Sequence, residues 1–447
     1  MPLQCYVNRQ STRHGESLEI FSNGEAPVDL YVAPLFDAEN PVYTRAAIAP
    51  QAYPPPSLNP FAEGYGWPVT DSFTIGDDWP PGFYFARISN SDGIFYAGFV
   101  VKQRETQRST NLVVVNTNTW AAYNRIGGAS FYGYKVRHES RYGKPQFPKR
   151  GSSTLSFMRP IRNIDNDIRR AIPYIPELAR HKEASLAGRN PAEGERAIVE
   201  HLLFSEILTW TWLKAANIGF DLCTDHDLHV GRIPRTYKNV ILAGHPEYWS
   251  EEMFANLCHW IGPGRNFIAA AGNAIHRRVK FMGPRGAMRL VKAPTEGIDA
   301  QRFLWSPIRE NDGQLPAASK IKPDTVPAQV LGQRYNPPGL NTFAPYEVLK
   351  PDHWALKGLR LAKGDHIGNA NFHGAGACGY ETDKSVLGDA PVIARGLNSN
   401  GGGGDIMLHT VNGGLVFTAG SVAYCGSLHV DPVIAGLTRN VLEKFGA

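Results

Sequence analysis

The sequence is poor in the features that mark several protein classes. It has five cysteines in 447 residues, and none of them forms a Cys-x-x-Cys pair. An odd number of widely spaced cysteines argues against both a disulfide framework and a structural zinc site. No stretch approaches the roughly 18 apolar residues that a membrane-spanning helix needs, and the first residues lack the apolar segment of a secretory signal. We therefore expect a cytoplasmic protein with no membrane partner.

The chain also lacks a strong charge of one sign. Its formal net charge is +5 at pH 7, and its lysines and arginines are scattered along the chain. This pattern is typical of a solvated surface, so we expect no nucleic-acid partner. The chain is instead rich in glycine and proline, with 45 and 33 residues and no repeating period. Such a composition is typical of many loops between short strands, and loops commonly carry functional residues.

The residue pattern changes near position 105. Short segments rich in Val, Ile, Phe and Tyr predict a small β-sandwich domain over residues 1–105. Residues 106–447 alternate helical patterns with continuous apolar runs, which are typical of parallel strands buried on both faces. The runs are NLVVVNTNTW (111–120), FDLCTD (220–225), NVILAG (239–244), NFIAAAG (266–272) and GGLVFTAG (413–420), and the helical patterns cover 196–216, 251–261 and 431–445. We therefore predict an α/β domain with a mostly parallel sheet, whose ligands bind at the carboxyl ends of the strands.

Polar side chains follow three of these apolar runs. The first run leads to Tyr123, the third to the segment His245–Tyr248, and the fourth to Asn273. No Ser or Cys stands in the turn after NVILAG, so a covalent nucleophile is not expected there. Imidazole, carboxylate and phenol groups are instead metal ligands or acid–base groups. The alternative is structural: Glu247 would stabilise the positive end of the following helix, and His245 would be an ordinary turn residue.

Six strings of the sequence together carry a family resemblance. They are NTNTWAAYNRIGGASFYGY, LSFMRP, FDLCTDHDLH, ILAGHPEYWS, AAAGNAIHRR and GYETD. In this order and spacing they resemble the catalytic domain of the large subunit of N,N-dimethylformamidase and its relatives, over residues 111–447. The string DDWPPGFYFARI is similar to the domain that precedes it in that family. The resemblance implies a class I glutamine-amidotransferase-like α/β fold and an amidohydrolase that cleaves the C–N bond of a non-peptide linear amide.

The resemblance also implies a mononuclear iron held by two tyrosinates and one glutamate. Tyr123 of the AYN string and Glu247 of the HPEY string match one tyrosine and the glutamate. The second tyrosine is expected after LSFMRP, but residues 161–170 contain none, and Tyr174 is the nearest candidate downstream. The alternatives are a substitute from elsewhere in the chain or an altered ligand set. Phenolate and carboxylate oxygens are hard donors that suit a hard cation such as ferric iron.

Three further residues match positions around the metal in that family. They are His245, Asn273 of the AGN string and Glu381 of the GYE string. We predict that Glu381 is the general base for a metal-activated water, which attacks the amide carbonyl, and that it then protonates the departing amine. His245 and Asn273 would orient the substrate or its oxyanion.

Two other expectations concern partners and an alternative function. The resemblance implies a small-molecule amide as substrate and a small accessory subunit, while a homo-oligomer is the default expectation from the frequency of symmetric assemblies. The alternative function is a non-catalytic carbohydrate- or surface-binding protein, because a fold does not fix an activity.

Overall fold

The structure is a computed structural model of the chain. It describes residues 2–49, 57–132, 152, 154–180, 201–283, 286–291, 327–372, 374 and 376–447. Among the helices in these ranges, none is both long and apolar enough to cross a membrane.

The first part of the chain forms two small sheets. Their strands are β1 (Cys5–Val7), β2 (Ser11–Thr12), β3 (Ser17–Ser22), β4 (Val28–Pro34), β5 (Tyr43–Ile48), β6 (Asp71–Thr74), β7 (Gly82–Asn90) and β8 (Gly93–Val101). One sheet has the order β1-β3-β6 and the other the order β2-β8-β7-β4-β5. Strands β7 and β8 pair over nine residues each, because both are rich in aromatic and β-branched residues that pack well on a pleated surface. The division of the chain at residue 105 stays a prediction.

The rest of the described chain contains seventeen more strands. They are β9 (Asn111–Val115), β10 (Thr154–Ser156), β11 (Asp221–Thr224), β12 (Asn239–Gly244), β13 (Tyr248–Trp249), β14 (Asn266–Ala271), β15 (Arg277–Met282), β16 (Ala287–Leu290), β17 (Gln333–Tyr335), β18 (Phe343–Ala344), β19 (Tyr346–Val348), β20 (His366–Ile367), β21 (Cys378–Gly379), β22 (Asp383–Ser385), β23 (Val392–Gly396), β24 (Asp405–Val411) and β25 (Gly414–Thr418). The described α-helices are α1 (Pro60–Glu63), α2 (Thr117–Tyr123), α3 (Arg162–Arg180), α4 (Leu203–Ala215), α5 (Asp225–Val230), α6 (Glu251–Trp260), α7 (Pro327–Leu331) and α8 (Pro432–Lys444). Nine strands form the largest sheet, in the order β11-β9-β12-β14-β25-β24-β23-β19-β20.

The predicted mostly parallel, class I glutamine-amidotransferase-like α/β fold is wrong. Thirteen of the pairings between described strands are antiparallel and six are parallel. The largest sheet is mixed, since it is parallel from β11 to β25 and antiparallel from β25 to β20. The chain is therefore a multi-sheet, mixed β structure with few helices. The prediction failed because many antiparallel strands are only two or three residues long and carry no recognisable apolar period.

The parallel strands are buried on both faces, as their apolar runs predict. Along β12, Ile241 and Ala243 belong to one hydrophobic cluster, while Val240 and Leu242 belong to another on the opposite face. This alternation follows from the two-residue period of a strand. Helices α3, α4 and α8 cover the first face, and α5 and α6 cover the second. The carboxyl ends of β12 and β14 lie side by side, with Gly244 paired to Ala271.

Candidate functional site

Three segments meet at the carboxyl edge of the parallel strands. Strand β9 leads into α2, which ends at Tyr123. Strand β12 leads into the segment from His245 to Glu247, and β14 leads through Gly272 to Asn273. A fourth side chain, that of Glu381, comes from the connection between β21 and β22. The site is therefore assembled from residues that are far apart in the sequence.

The turn after β14 has an unusual backbone. Asn273 and Ile275 have φ values of +48° and +50°, and Tyr380, next to Glu381, has φ +64°. This left-handed conformation is costly for a β-branched residue such as Ile275 and is found mostly where a site requires it. Gly272 lies so close to the neighbouring chain that a Cβ there would stand 2.6 Å from the carbonyl oxygen of Glu381. Close backbone packing thus fixes the positions of Asn273 and Glu381.

Three side-chain oxygens converge beside this turn, and we call them the oxygen cluster. They are the Oη atoms of Tyr123 and Tyr132 and the Oε2 atom of Glu247. The Tyr132 Oη lies 2.8 Å from Glu247 Oε2 and 2.9 Å from the Tyr123 Oη. The Tyr123 Oη lies 3.1 Å from Glu247 Oε2. A third phenol, that of Tyr248, donates a hydrogen bond of 2.6 Å to the Tyr132 Oη.

Glu247 is buried, with 1% of its surface exposed, yet it is ionised. Arg277 Nε donates to Glu247 Oε1 at 2.9 Å, and His245 Nε2 lies 3.1 Å from Glu247 Oε2. Burial raises the pKa of Glu247, but His245 and Arg277 outweigh it and hold the pKa well below its usual range. Burial lowers the pKa of His245, while the charges of Glu381 and Glu247 raise it to about 9. The site therefore contains an imidazolium and a carboxylate near neutral pH.

The two tyrosines of the oxygen cluster are protonated in the protein on its own. Burial raises the pKa of Tyr123 and Tyr132 well above the usual value, and the charge of Glu247 raises both further. A cation bound among these oxygens would reverse that balance, because it favours the phenolate form.

A second group of side chains lies next to the oxygen cluster. Asn273 Nδ2 donates a hydrogen bond to Glu381 Oε2, and His245 Nε2 lies 3.9 Å from the same oxygen. Burial raises the pKa of Glu381, which suits an acid–base role. Within the described ranges, the Oδ1 atom of Asn273 is buried and has no hydrogen-bond partner. His245 thus stands between two carboxyl groups, and Asn273 presents an unused acceptor beside them.

The structure brings together five of the six side chains predicted to form the site: Tyr123, His245, Glu247, Asn273 and Glu381. It does not bring Tyr174 to them. Tyr174 lies on α3, is 41% exposed and packs its ring edge against Phe372. It falls outside the buried stripe of α3, which includes Ile168, Ala171 and Ile175. The prediction of Tyr174 as a metal ligand therefore finds no support in its position.

Tyr132 and Arg277 contact Glu247 and were not predicted as site residues, and Tyr248 was named only as part of the segment His245–Tyr248, without a role. Tyr248 stands next to Glu247 in the string ILAGHPEYWS, and Arg277 stands in the string AAAGNAIHRR, so both strings carried a usable signal. Tyr132 comes nine residues after Tyr123 in a glycine-rich stretch that is neither helix nor strand. No periodicity relates the two tyrosines, and only the folded chain shows that they meet.

The donor set fits a hard cation. Among the described residues, no group of three or more His, Cys, Asp or Glu side chains is arranged to hold a metal ion. The oxygen cluster is of another kind, since two of its three donors are phenols. Two oxygens on adjacent positions of a small hard cation stand about 2.8–3.0 Å apart, because each lies at roughly 2.0–2.1 Å from the ion. The three oxygen–oxygen distances of the cluster, 2.8 to 3.1 Å, are close to that separation.

Comparison with known proteins gives a match over most of the chain. A family model described as N,N-dimethylformamidase beta subunit-like, C-terminal, matches residues 36–438. The matched range includes the whole oxygen cluster and also Asn273 and Glu381. No curated protein matches the sequence.

Proposed function

Since the chain belongs to the N,N-dimethylformamidase beta subunit-like family, we propose that it is a metal-dependent hydrolase of a carboxamide C–N bond. The observation that carries the proposal is the convergence of buried phenol and carboxylate oxygens beside the His245–Glu381 pair. The reaction adds one water to the amide and releases a carboxylic acid and an amine. The proposed substrate is a small, non-peptide amide.

Tyr123 and Glu247 would hold the metal, and ferric iron is the ion that we propose. When bound, such an ion supplies Lewis acidity that polarises an amide carbonyl and lowers the pKa of water. Glu247 is suited to this task because Arg277 and His245 keep it ionised although it is buried. The Tyr123 Oη is held by two neighbours, Glu247 Oε2 and His245 Nε2, each at 3.1 Å.

Glu381 is the residue that would move the proton. A carboxyl group with a raised pKa can take a proton from water and later give it to the departing amine. Asn273 Nδ2 holds Glu381 Oε2, and its free Oδ1 can accept a hydrogen bond from an amide or amine N–H. His245, kept as an imidazolium by the two carboxylates, would donate to the developing oxyanion.

The experiment combines metal analysis with an amine-release assay on the purified full-length protein. We expect about one iron per chain and release of amine from one or more small amides. Glu381→Gln should lower kcat about 10²- to 10⁴-fold with its iron retained, because Gln cannot exchange the proton. Glu443→Gln, an exposed glutamate on α8, is the matched control and should leave kcat unchanged.

Three outcomes would contradict the proposal or one of its residue roles. An undiminished kcat in Glu381→Gln would remove that residue from the acid–base role. A folded wild-type protein that holds no metal and releases no amine would instead favour the non-catalytic binding protein. Tyr123→Phe should lose iron, and an unchanged iron content would contradict the ligand role of Tyr123.

The family description also bears on assembly. It refers to a beta subunit, which supports the proposal that the chain works together with a further chain or a second copy. Sedimentation of the purified chain distinguishes the two cases: a mass above 49.2 kDa would identify a second copy as the partner, and a mass of 49.2 kDa would leave a different chain as the proposed partner.

A further inference from the structure

Tyr132 is as close to Glu247 as any tyrosine of the site. Its Oη lies 2.8 and 3.1 Å from the two carboxylate oxygens of Glu247 and 2.9 Å from the Tyr123 Oη. A buried phenol needs only one acceptor for its proton. The Tyr132 Oη lies within hydrogen-bond distance of the Glu247 carboxylate and of the hydroxyls of Tyr123 and Tyr248. A purely structural role for this phenol would need only one of these contacts.

The segment that carries Tyr132 is held in place by a buried arginine. Arg159 is 1% exposed, and its guanidinium donates to the carbonyl oxygens of Ala121, Ile126 and Ala129 at 2.9, 2.7 and 3.1 Å. These hydrogen bonds tie α2 to the segment that follows it. The amide of Phe131 adds a hydrogen bond of 3.1 Å to the Ala122 carbonyl. The segment that ends at Tyr132 is therefore fixed relative to α2 and Tyr123 by the buried Arg159 side chain and by one backbone hydrogen bond.

Tyr248 contacts Tyr132 through a hydrogen bond between the two hydroxyls. Its side chain is fully buried, and its hydroxyl donates to the Tyr132 Oη at 2.6 Å. A hydrogen bond donated to a phenol oxygen favours the phenolate over the phenol. A residue that hydrogen-bonds to a metal ligand fixes the orientation of that ligand and tunes its strength as a donor.

From these contacts we infer that Tyr132 is the third oxygen ligand of the metal, in the place that Tyr174 was expected to fill, and that Tyr248 is its positioning residue. The inference rests on the proposed metal-dependent function. It assigns the metal to Tyr123, Tyr132 and Glu247, an all-oxygen set that comes from two segments of the chain.

The test compares three tyrosine variants of the full-length protein, loaded with ferric iron. Iron per chain and the visible charge-transfer absorption of iron-bound phenolate are measured for each. Tyr132→Phe should weaken iron binding about 10-fold or more and reduce the charge-transfer absorption, because one phenolate donor is gone. Tyr174→Phe is the matched control and should change neither quantity. Tyr248→Phe should keep its iron but shift the absorption to longer wavelength, because a phenolate without that hydrogen bond gives up electron density more readily.

Tyr132→Phe leaves the Tyr248 hydroxyl without its acceptor, which could destabilise the protein. The double variant Tyr132→Phe/Tyr248→Phe removes both hydroxyls and leaves no stranded donor. It should also lose iron while its far-ultraviolet circular dichroism matches the wild type. Full iron content and an unchanged absorption band in either Tyr132 variant would overturn the inference and leave the proposed function intact. A wild-type protein that binds no iron would contradict the proposed function itself.

Discussion

At the scale of single residues, the two oxygens of Glu247 differ in their main partners. Oε1 accepts from Arg277 and also lies 3.1 Å from the Tyr132 Oη, while Oε2 faces Tyr123, Tyr132 and His245. The arginine offsets the cost of burying a charge, because a hydrogen-bonded ion pair compensates much of the lost hydration. One carboxylate oxygen therefore stays available for the oxygen cluster.

Asp167 on α3 is a buried carboxyl group whose pKa is raised, in contrast to that of Glu247. It is 5% exposed, and its Oδ2 accepts from the amide of Phe204 at 3.2 Å. Burial raises its pKa to about 7, although that hydrogen bond and the charge of Arg170 act against the shift. The unfolded chain releases this proton near pH 4, while the folded chain keeps it up to about pH 7. Ionisation of Asp167 therefore lowers the stability of the fold as the pH rises from 4 to 7.

We expect Asp167→Asn to be more stable than the wild type at pH 8 and not at pH 4. An asparagine can still accept from Phe204 but cannot ionise, so the gain at pH 8 is up to about 4 kcal/mol for a shift of about three pKa units. Urea unfolding at both pH values gives the free energies. The exposed Asp352→Asn serves as control and should show little change at either pH. Equal differences at pH 4 and pH 8 would contradict a raised pKa for Asp167.

At the scale of elements, the turn after β14 depends on Gly272. A Cβ at this position would meet three backbone atoms, of Val422, Glu381 and Ser421. Backbone cannot rotate away as a side chain can, so the neighbouring segments must shift. Such a shift would move Glu381 away from Asn273 and His245.

We expect Gly272→Ala to lower the free energy of unfolding by about 1–3 kcal/mol and to lower kcat for amine release. Gly219→Ala is the matched control, because a Cβ there meets only the Ser109 hydroxyl at 3.3 Å. Urea unfolding and the amine-release assay are run on both variants. A Gly272→Ala protein with wild-type stability and kcat would show that the close packing has no functional role.

The elements that the sequence predicted best are the parallel strands. The runs NVILAG and NFIAAA coincide with β12 and β14, because burial on both faces leaves an uninterrupted apolar signal. Helices α6 and α8 also match their predicted stripes within one residue at each end. The helical pattern predicted over 196–216 begins with residues 196–200, which lie outside the described ranges. Helix α4 covers residues 203–215 of the remainder. The carboxyl-edge rule pointed to the segments that follow β9, β12 and β14, which carry Tyr123, Glu247 and Asn273.

The short antiparallel strands and the position of Tyr132 could not be predicted from the sequence. Short antiparallel strands such as β20 and β21 have two residues each, too few for any period to register. Tyr132 lies beside Glu247 in a segment that Arg159 and the amide of Phe131 tie to α2 through backbone carbonyls. Contacts of that kind depend on the path of the backbone and leave no trace in residue spacing.

At the scale of the whole molecule, the five-stranded sheet near the start of the chain shares a hydrophobic core with α3 and α4. Phe83 of β7 is 2% exposed, and its ring lies 5.4 Å from that of Trp210 and 6.1 Å from that of Trp120. Leu35 and Phe85 belong to the same hydrophobic cluster as residues of α3 and α4. A shared core of this kind couples the unfolding of the parts that form it.

We therefore expect Phe83→Ala to destabilise the entire chain by about 3–5 kcal/mol in a single transition. Urea unfolding followed by circular dichroism and by tryptophan fluorescence should give coincident curves for wild type and variant. Ile94→Ala, at a position that is 42% exposed, is the control and should stay within about 0.5 kcal/mol of the wild type. Two separate transitions would show that residues 1–105 unfold on their own.

The anchoring of Glu247 does not depend on the tyrosines of the oxygen cluster. Arg277 holds the carboxylate of Glu247, and the backbone amide of Glu247 donates to Thr119 Oγ1 at 3.1 Å. Neither tyrosine is therefore needed to keep Glu247 in place. We therefore expect the carboxylate to keep its position when either phenol is replaced. Glu247 is the fixed point of the oxygen cluster, and the two tyrosine hydroxyls are placed relative to it.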